Sequence, residues 1–274
     1  MRLGRIPWIN CYPIYGAIDR GIVALPGVEV VSGTASELND LLAAGELNVS
    51  VVSAVEYARN AAAYHLLPDL AITCDGPVHS VALFSRRPVE SLNDATVLLT
   101  ASSRTSVLLL ELLCRHRWNV SPRFATVRAE ATDLATLAGL PHEAVLVIGD
   151  AALMLDARER YPHKYDLGEA WHDWTGLPFV FAVWAARREA PMDAVRRVHG
   201  GLLASRQWGL EHLDELAHAA AANTAVDERV CRAYLGDLDY ALSYRHLAGL
   251  TDFFRRLAQD GLVPDGSLSF ITAA

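Results

Sequence analysis

Through the first two-thirds of the chain, short apolar runs rich in β-branched residues alternate with longer stretches of helical periodicity. This alternation is the strongest constraint on the fold. Parallel strands need a crossover of a dozen or more residues, and a helix is the usual way to supply one. Expected strands cover residues 3–9, 28–31, 49–53, 78–85, 96–100, 144–148 and 179–185. Between them, Thr34 and Glu37 have the spacing of a capped helix start, followed by Leu38, Leu41 and Leu42 on one face and stopped by Gly45. The class is therefore α/β, with largely parallel sheets. From Pro191 onward Ala, Leu, Arg and Glu dominate. Leu202, Trp208, Leu213, Leu216, Leu247, Phe254 and Leu257 recur there at helical spacing, so the C-terminal region is helical.

The 274 residues suffice for two modest domains, yet no Gly/Ser linker, repeat or low-complexity segment separates them. A second domain must then be inserted through paired crossings. The runs 78–85 and 179–185 are the expected crossings, giving lobe 1 as residues 1–82 plus 183–274 and lobe 2 as residues 83–182. Two lobes joined in this way form a hinged central cleft.

The formal charge of -8 and pI near 5.7 argue against a phosphate-backbone partner, which would call for a concentrated basic face. No nucleic acid is expected. Of the 24 basic residues only Lys164 is a lysine, and it lies in a turn-like stretch, which argues against Schiff-base chemistry. Cys11, Cys74, Cys114 and Cys231 are widely spaced and form no Cys-x-x-Cys pair, so neither a zinc site nor a disulfide framework is expected. Residues 1–10 turn polar too early for a secretory segment, and no apolar run approaches about 20 residues, so no membrane span is expected. A cytoplasmic location is expected. G-x-G-x-x-G, P-loop, H-E-x-x-H and G-x-S-x-G patterns are all missing from the sequence, and its ten histidines do not cluster with Cys or acidic residues at metal-ligand spacing. Neither a nucleotide nor a metal is implied.

In open α/β sheets, ligands bind beyond the carboxyl ends of the strands. The residues there are small and polar: Asn10, Ser53, Ser102 to Ser106, Gly149 and Asp150. Ser102, Ser103, Thr105 and Ser106 precede the apolar helical stretch 107–113. Backbone N–H groups at a helix start lack partners and carry the positive end of the dipole, so a carboxylate is favoured there. Ser103 or Thr105 can equally serve as the cap of that helix. Gly76, Pro77, Val78, His79 and Ser80 form a turn before a strand, whose alternation would put His79 and Ser80 on opposite faces. Asn10 can orient a substrate or cap the helix that Pro13 opens, and Asp150 can bind a ligand or cap the helix after it. Trp171 and Trp174 can close over a ring or pack structurally.

Taken in order, these residues resemble a known family. Ile9-Asn-Cys-Tyr-Pro13, Ser36-Glu-Leu-Asn-Asp-Leu-Leu42, Ser53-Ala-Val-Glu-Tyr57, Leu67-Pro-Asp-Leu70, Gly76-Pro-Val-His-Ser-Val81, Ser102-Ser-Arg-Thr-Ser106, Ile148-Gly-Asp-Ala151, Asp166-Leu-Gly168 and Thr175-Gly-Leu-Pro-Phe179 follow one another as in the chorismate dehydratase family of the futalosine route to menaquinone. The resemblance spans roughly residues 1 to 187. Asn48 stands where the family pattern has an acidic residue, and Trp8 where a smaller aromatic is common.

The resemblance implies a periplasmic-binding-protein-like fold of the second type. It also implies a hydro-lyase that converts chorismate, its small-molecule partner, to 3-[(1-carboxyvinyl)oxy]benzoate, with no cofactor. It assigns Asn10 and Ser80 to the chemistry and Ser53, Ser102, Thr105 and Ser106 to substrate-binding turns. Three alternatives share the fold prior: the sister enzyme that makes 1,4-dihydroxy-6-naphthoate, a non-catalytic carboxylate-binding protein, and a ligand-sensing module.

Overall fold

A computed structural model describes residues 1–100, 103–127, 139–155, 160–264 and 266–271. The chain divides into two compact units, Met1–Thr73 with Val180–Ala274, and Cys74–Phe179.

The first unit is built on a five-stranded sheet of order β2-β1-β3-β10-β4. Its strands are β1 (Arg2–Arg5), β2 (Glu29–Ser32), β3 (Val49–Ser53), β4 (Tyr64–Cys74) and β10 (Phe179–Arg187). β1 pairs in parallel with β2 and β3, while β10 runs antiparallel to β3, with Ala182 opposite Ser53. The helices α1 (Tyr12–Asp19), α2 (Ala35–Ala43) and α3 (Ala54–Arg59) follow β1, β2 and β3 in turn. α2 begins with the expected capping box: Thr34 accepts the Glu37 N–H, and Glu37 reaches back to the Thr34 N–H at 2.8 Å.

The second unit carries a sheet of order β7-β6-β8-β5-β9. Its strands are β5 (Val81–Ser85), β6 (Thr96–Thr100), β7 (Arg123–Val127), β8 (Ala144–Ile148) and β9 (His163–Asp166), with helices α4 (Arg104–His116), α5 (Asp150–Met154) and α6 (Leu167–Thr175). β6 is parallel to β7 and β8, and β5 is antiparallel to β8 and β9. Ala82, Phe84, Leu98, Val145, Val147, Ala152 and Tyr161 form one buried cluster on this sheet. The remaining helices, α7 (Met192–Glu211), α8 (Leu213–Asn223), α9 (Glu228–Asp237) and α10 (Tyr244–Gln259), make up the expected helical C-terminal region. α10 buries Leu250, Phe253, Phe254 and Leu257 along one face, and Phe254 stacks beside Tyr57 of α3.

Several expectations are corrected. The first strand stops at Arg5 rather than Ile9, because residues 9–11 wind into a 3-10 turn. The run 78–85 is not a crossing. Gly76 and His79 take positive φ (118° and 63°), so the strand begins only at Val81, and it pairs wholly within the second sheet. β4 is the strand that ends at the boundary, and the units divide at 73/74 and 179/180 rather than at 82/83 and 182/183. Both sheets are mixed rather than largely parallel, since β10 runs against β3, and β5 against β8 and β9.

Candidate active site

In the first unit, the parallel register of β1 and β3 puts the carboxyl ends of both strands at one edge of the sheet. Asn10 lies in the 3-10 turn Ile9–Cys11 beyond β1. It does not cap α1: the cap position is Cys11, with no side-chain hydrogen bond, and Pro13 sits in the first turn. Its side-chain Oδ1 is buried and has no hydrogen-bond partner among the described residues. An acceptor left in that state costs about 1–3 kcal/mol, which a ligand donor would recover. The helix that follows is held firmly. The buried Tyr15 hydroxyl donates to the Gly4 carbonyl at 2.9 Å and accepts from Trp184 Nε1 at 3.1 Å, and burial raises its pKa.

Ser53 ends β3, is buried, and caps α3 by accepting the Glu56 N–H at 3.2 Å. The carboxylate of Glu56 is itself buried and accepts from Asn60 Nδ2 at 2.7 Å. Ser53 thus has a structural task whatever it does for a ligand.

In the second unit, pairing gathers more of the candidates. Because β6 and β8 are parallel and β5 runs against β8, the carboxyl ends of β6 and β8 and the amino end of β5 share one edge. That edge carries the start of α4, the Gly149–Asp150 turn and Ser80 together. Ser102 lies outside the described residues. Ser103 caps α4: its Oγ accepts the Ser106 N–H at 3.2 Å and donates to Ser106 Oγ at 2.9 Å. Thr105 and Ser106 are buried in the first turn. Capping and anion binding are compatible, since the cap orders the turn while the dipole of this 13-residue helix still points its positive end outward.

Gly149 takes φ 66° and ψ −152°, a backbone region closed to residues with a Cβ, and donates its N–H to the Ser80 carbonyl at 2.7 Å. Asp150 is not the cap of α5; Gly149 occupies that position and Asp150 is the first helical residue, half-buried. Ser80 is 4% exposed and follows a tight turn in which its N–H donates to the Val78 carbonyl at 2.7 Å across His79. Strand alternation therefore does not govern His79 and Ser80.

Sequence reasoning missed Asp166, the cap of α6. Its carboxylate accepts four backbone N–H groups: Val78 at 3.0 Å, His79 at 2.6 Å, Gly168 at 2.9 Å and Glu169 at 3.1 Å. The signal available was an Asp at a helix start with Glu169 three residues on. Trp171 is fully buried, edge-on to Trp174 and Phe179 at 5.9 and 5.3 Å, and so packs structurally rather than closing over a ring.

Among the described residues no three His, Cys, Asp or Glu side chains converge as a metal site requires, and no helix is long and apolar enough to cross a membrane.

Residues 1–259 match the model of a family described as menaquinone biosynthesis. A Thermus thermophilus protein named chorismate dehydratase is 34% identical over 268 residues, covering 92% of this chain and 95% of the relative. Among solved structures, an Archaeoglobus fulgidus protein superposes with TM-score 0.80 at 19% identity, covering 96% of this chain and 98% of that one. The periplasmic aliphatic sulphonate binding protein of Escherichia coli superposes with TM-score 0.68 at 12% identity, covering 96% and 93%. At such identities the structural matches establish the fold, that of periplasmic binding proteins.

Proposed function

The chain belongs to the menaquinone biosynthesis family, and we propose that it acts there as a hydro-lyase that removes water from chorismate to give 3-[(1-carboxyvinyl)oxy]benzoate. The observation that carries this reading is the match to a relative named chorismate dehydratase over nearly the whole chain. The polar groups at the strand ends supply the chemistry that the reaction asks for.

The elimination breaks the C3–H and C4–O bonds of a cyclohexadiene, releases one water and leaves an aromatic ring. It is redox-neutral, so it calls for no electron-carrying cofactor. C3 is the vinylogous γ-position of the ring carboxylate, and charge developing there spreads into that carboxylate. Donors aimed at the carboxylate therefore stabilise the transition state more than the ground state. The start of α4, with Ser103, Thr105 and Ser106, holds a carboxylate of chorismate. Ser80 and Asn10 orient the enolpyruvyl group and the departing hydroxyl, while Ser53, Gly149 and Asp150 line the substrate. The C3 proton passes to the substrate's own enolpyruvyl carboxylate; the C3–H electron pair becomes the new ring double bond as the C4–O bond breaks, and the carboxylic acid returns the proton to the departing hydroxyl, which leaves as water. Asp166, the carboxylate bound to the Ser80 turn, is occupied by four N–H donors and is poorly disposed to act as a base. The protein's contribution is then a fixed reactive conformer and a shielded site. All four cysteines are free and buried, which suits a reducing compartment, and this reading puts the reaction in the cytoplasm.

Incubating the purified protein with chorismate and following the mixture by mass spectrometry tests the assignment. Loss of one water from chorismate is expected, while a parallel incubation with cyclic dehypoxanthine futalosine, the substrate of the sister enzyme, should leave that compound unchanged. Chorismate recovered intact would overturn the assignment, and conversion of cyclic dehypoxanthine futalosine would point to the sister enzyme.

A further inference from the structure

We propose that Asp166 is a positioning residue for the dehydration, holding Ser80 in its working orientation through the main chain of the turn before it. The proposal rests on the role given above to Ser80.

Ser80 follows His79, whose φ of 63° is unfavourable for a residue with a Cβ. A turn closed by a single Ser80 N–H to Val78 carbonyl bond at 2.7 Å does not hold such a conformation unaided. Asp166 supplies the restraint. Its Oδ2 takes the His79 N–H and its Oδ1 the Val78 N–H, two consecutive amides that only this turn aims at one carboxylate. The same Oδ1 accepts the Gly168 and Glu169 N–H groups, so the first turn of α6 and the Ser80 turn are clamped by one side chain. Hydrogen bonds to a charged acceptor are worth roughly twice neutral ones.

The packing around the clamp agrees. A Cβ on Gly168 would lie 2.6 Å from Cys74 Sγ and 2.7 Å from the Gly76 carbonyl, so glycine is what allows α6 to approach the turn this closely. On the other side, the Ser80 carbonyl is fixed by the Gly149 N–H. The Ser80 backbone is thus held from both directions, by Asp166 through α6 and by Gly149 through β8.

A double-mutant cycle tests the proposal. Ser80→Ala alone reports whether Ser80 matters. Asp166→Asn places an amide N–H where the turn offers N–H donors, and is expected to lower kcat on the order of 10²-fold with KM changed little. The Asp166→Asn/Ser80→Ala double variant is expected to be no slower than Ser80→Ala, because a positioning residue has nothing left to position. Asp166→Ser guards against a folding defect: its short hydroxyl still caps α6 but cannot span to Val78 and His79. It is expected to hold the melting temperature closer to wild type while losing turnover. If the two single effects multiply in the double variant, or if Asp166→Ser is fully active, the positioning role is overturned and Ser80 keeps its assignment. A fully active Ser80→Ala overturns both.

Discussion

Gly149 donates its backbone N–H to the carbonyl of Ser80 at 2.7 Å, tying the turn after β8 to the turn before β5. The two residues are 69 positions apart in sequence and become neighbours only because β5 and β8 pair antiparallel, with Val81 opposite Ile148. The bond depends on a backbone conformation at Gly149 that a Cβ forbids. Gly149→Ala should therefore cost about 1–3 kcal/mol of stability, read as a lower melting temperature, and should also reduce turnover through Ser80. An alanine variant as stable and active as wild type would show that the turn tolerates another geometry.

Ser103 is the cap of α4, and the same turn is the proposed seat of a substrate carboxylate. Charge separates the two roles. Asp is as good an N-cap as Ser, so Ser103→Asp should keep the melting temperature, whereas its negative charge should repel the ligand. KM for chorismate is expected to rise about tenfold or more, equivalent to about 1.4 kcal/mol of lost binding. An unchanged KM would confine Ser103 to capping. Ser103→Ala, by contrast, should cost about 1 kcal/mol of stability.

His142 gives a pH signature. It is buried, its Nδ1 faces the Leu140 carbonyl at 2.8 Å, and its Nε2 meets the Tyr161 hydroxyl at 2.5 Å. A neutral ring that donates from Nδ1 and accepts at Nε2 satisfies both. Burial lowers its pKa below the ordinary value near 6.5. Below that pH the unfolded chain therefore binds more protons than the folded one. The stabilisation from a neutral His142 is full above about pH 6.5 and fades as the pH falls through the lowered folded value. Chemical denaturation from pH 7.5 to 5 should show decreasing stability. His142→Asn should flatten that slope without abolishing it, because burial lowers His65 and His199 in the same direction.

Much of this architecture is legible in the sequence where local signals are strong. β6 and β8 are short continuous apolar runs with clear ends, and α2 carries its capping box in Thr34 and Glu37. β4 escaped notice because Pro68 and Asp69 interrupt it, with Asp69 at φ 51°. β7 is largely exposed and β9 is mostly polar, so neither shows the apolar pattern that marks a central strand. The candidate site follows the same division. The hydroxyls after β6 are visible because Ser and Thr are adjacent in sequence. The part played by Asp166 is not, since two of its four partners are main-chain amides 87 and 88 residues away. A main-chain donor carries no residue signature, and only the pairing of β9 with β5 brings it within reach.

Asn10 offers a test in which stability and activity move apart. Its Oδ1 is buried without a partner among the described residues, so an apolar replacement of similar size removes a desolvated acceptor. Asn10→Leu is expected to leave the melting temperature unchanged or slightly raised while turnover collapses. A large loss of stability would instead mark Asn10 as structural.

Steady-state kinetics of Ser80→Ala and Asn10→Ala on chorismate decide whether these two residues act in the proposed dehydration. Removal of a donor that acts in the transition state typically costs about 10²–10³-fold in kcat. A fall of that order is expected in both variants, with KM held within a few-fold of wild type. Full turnover in either variant would contradict it.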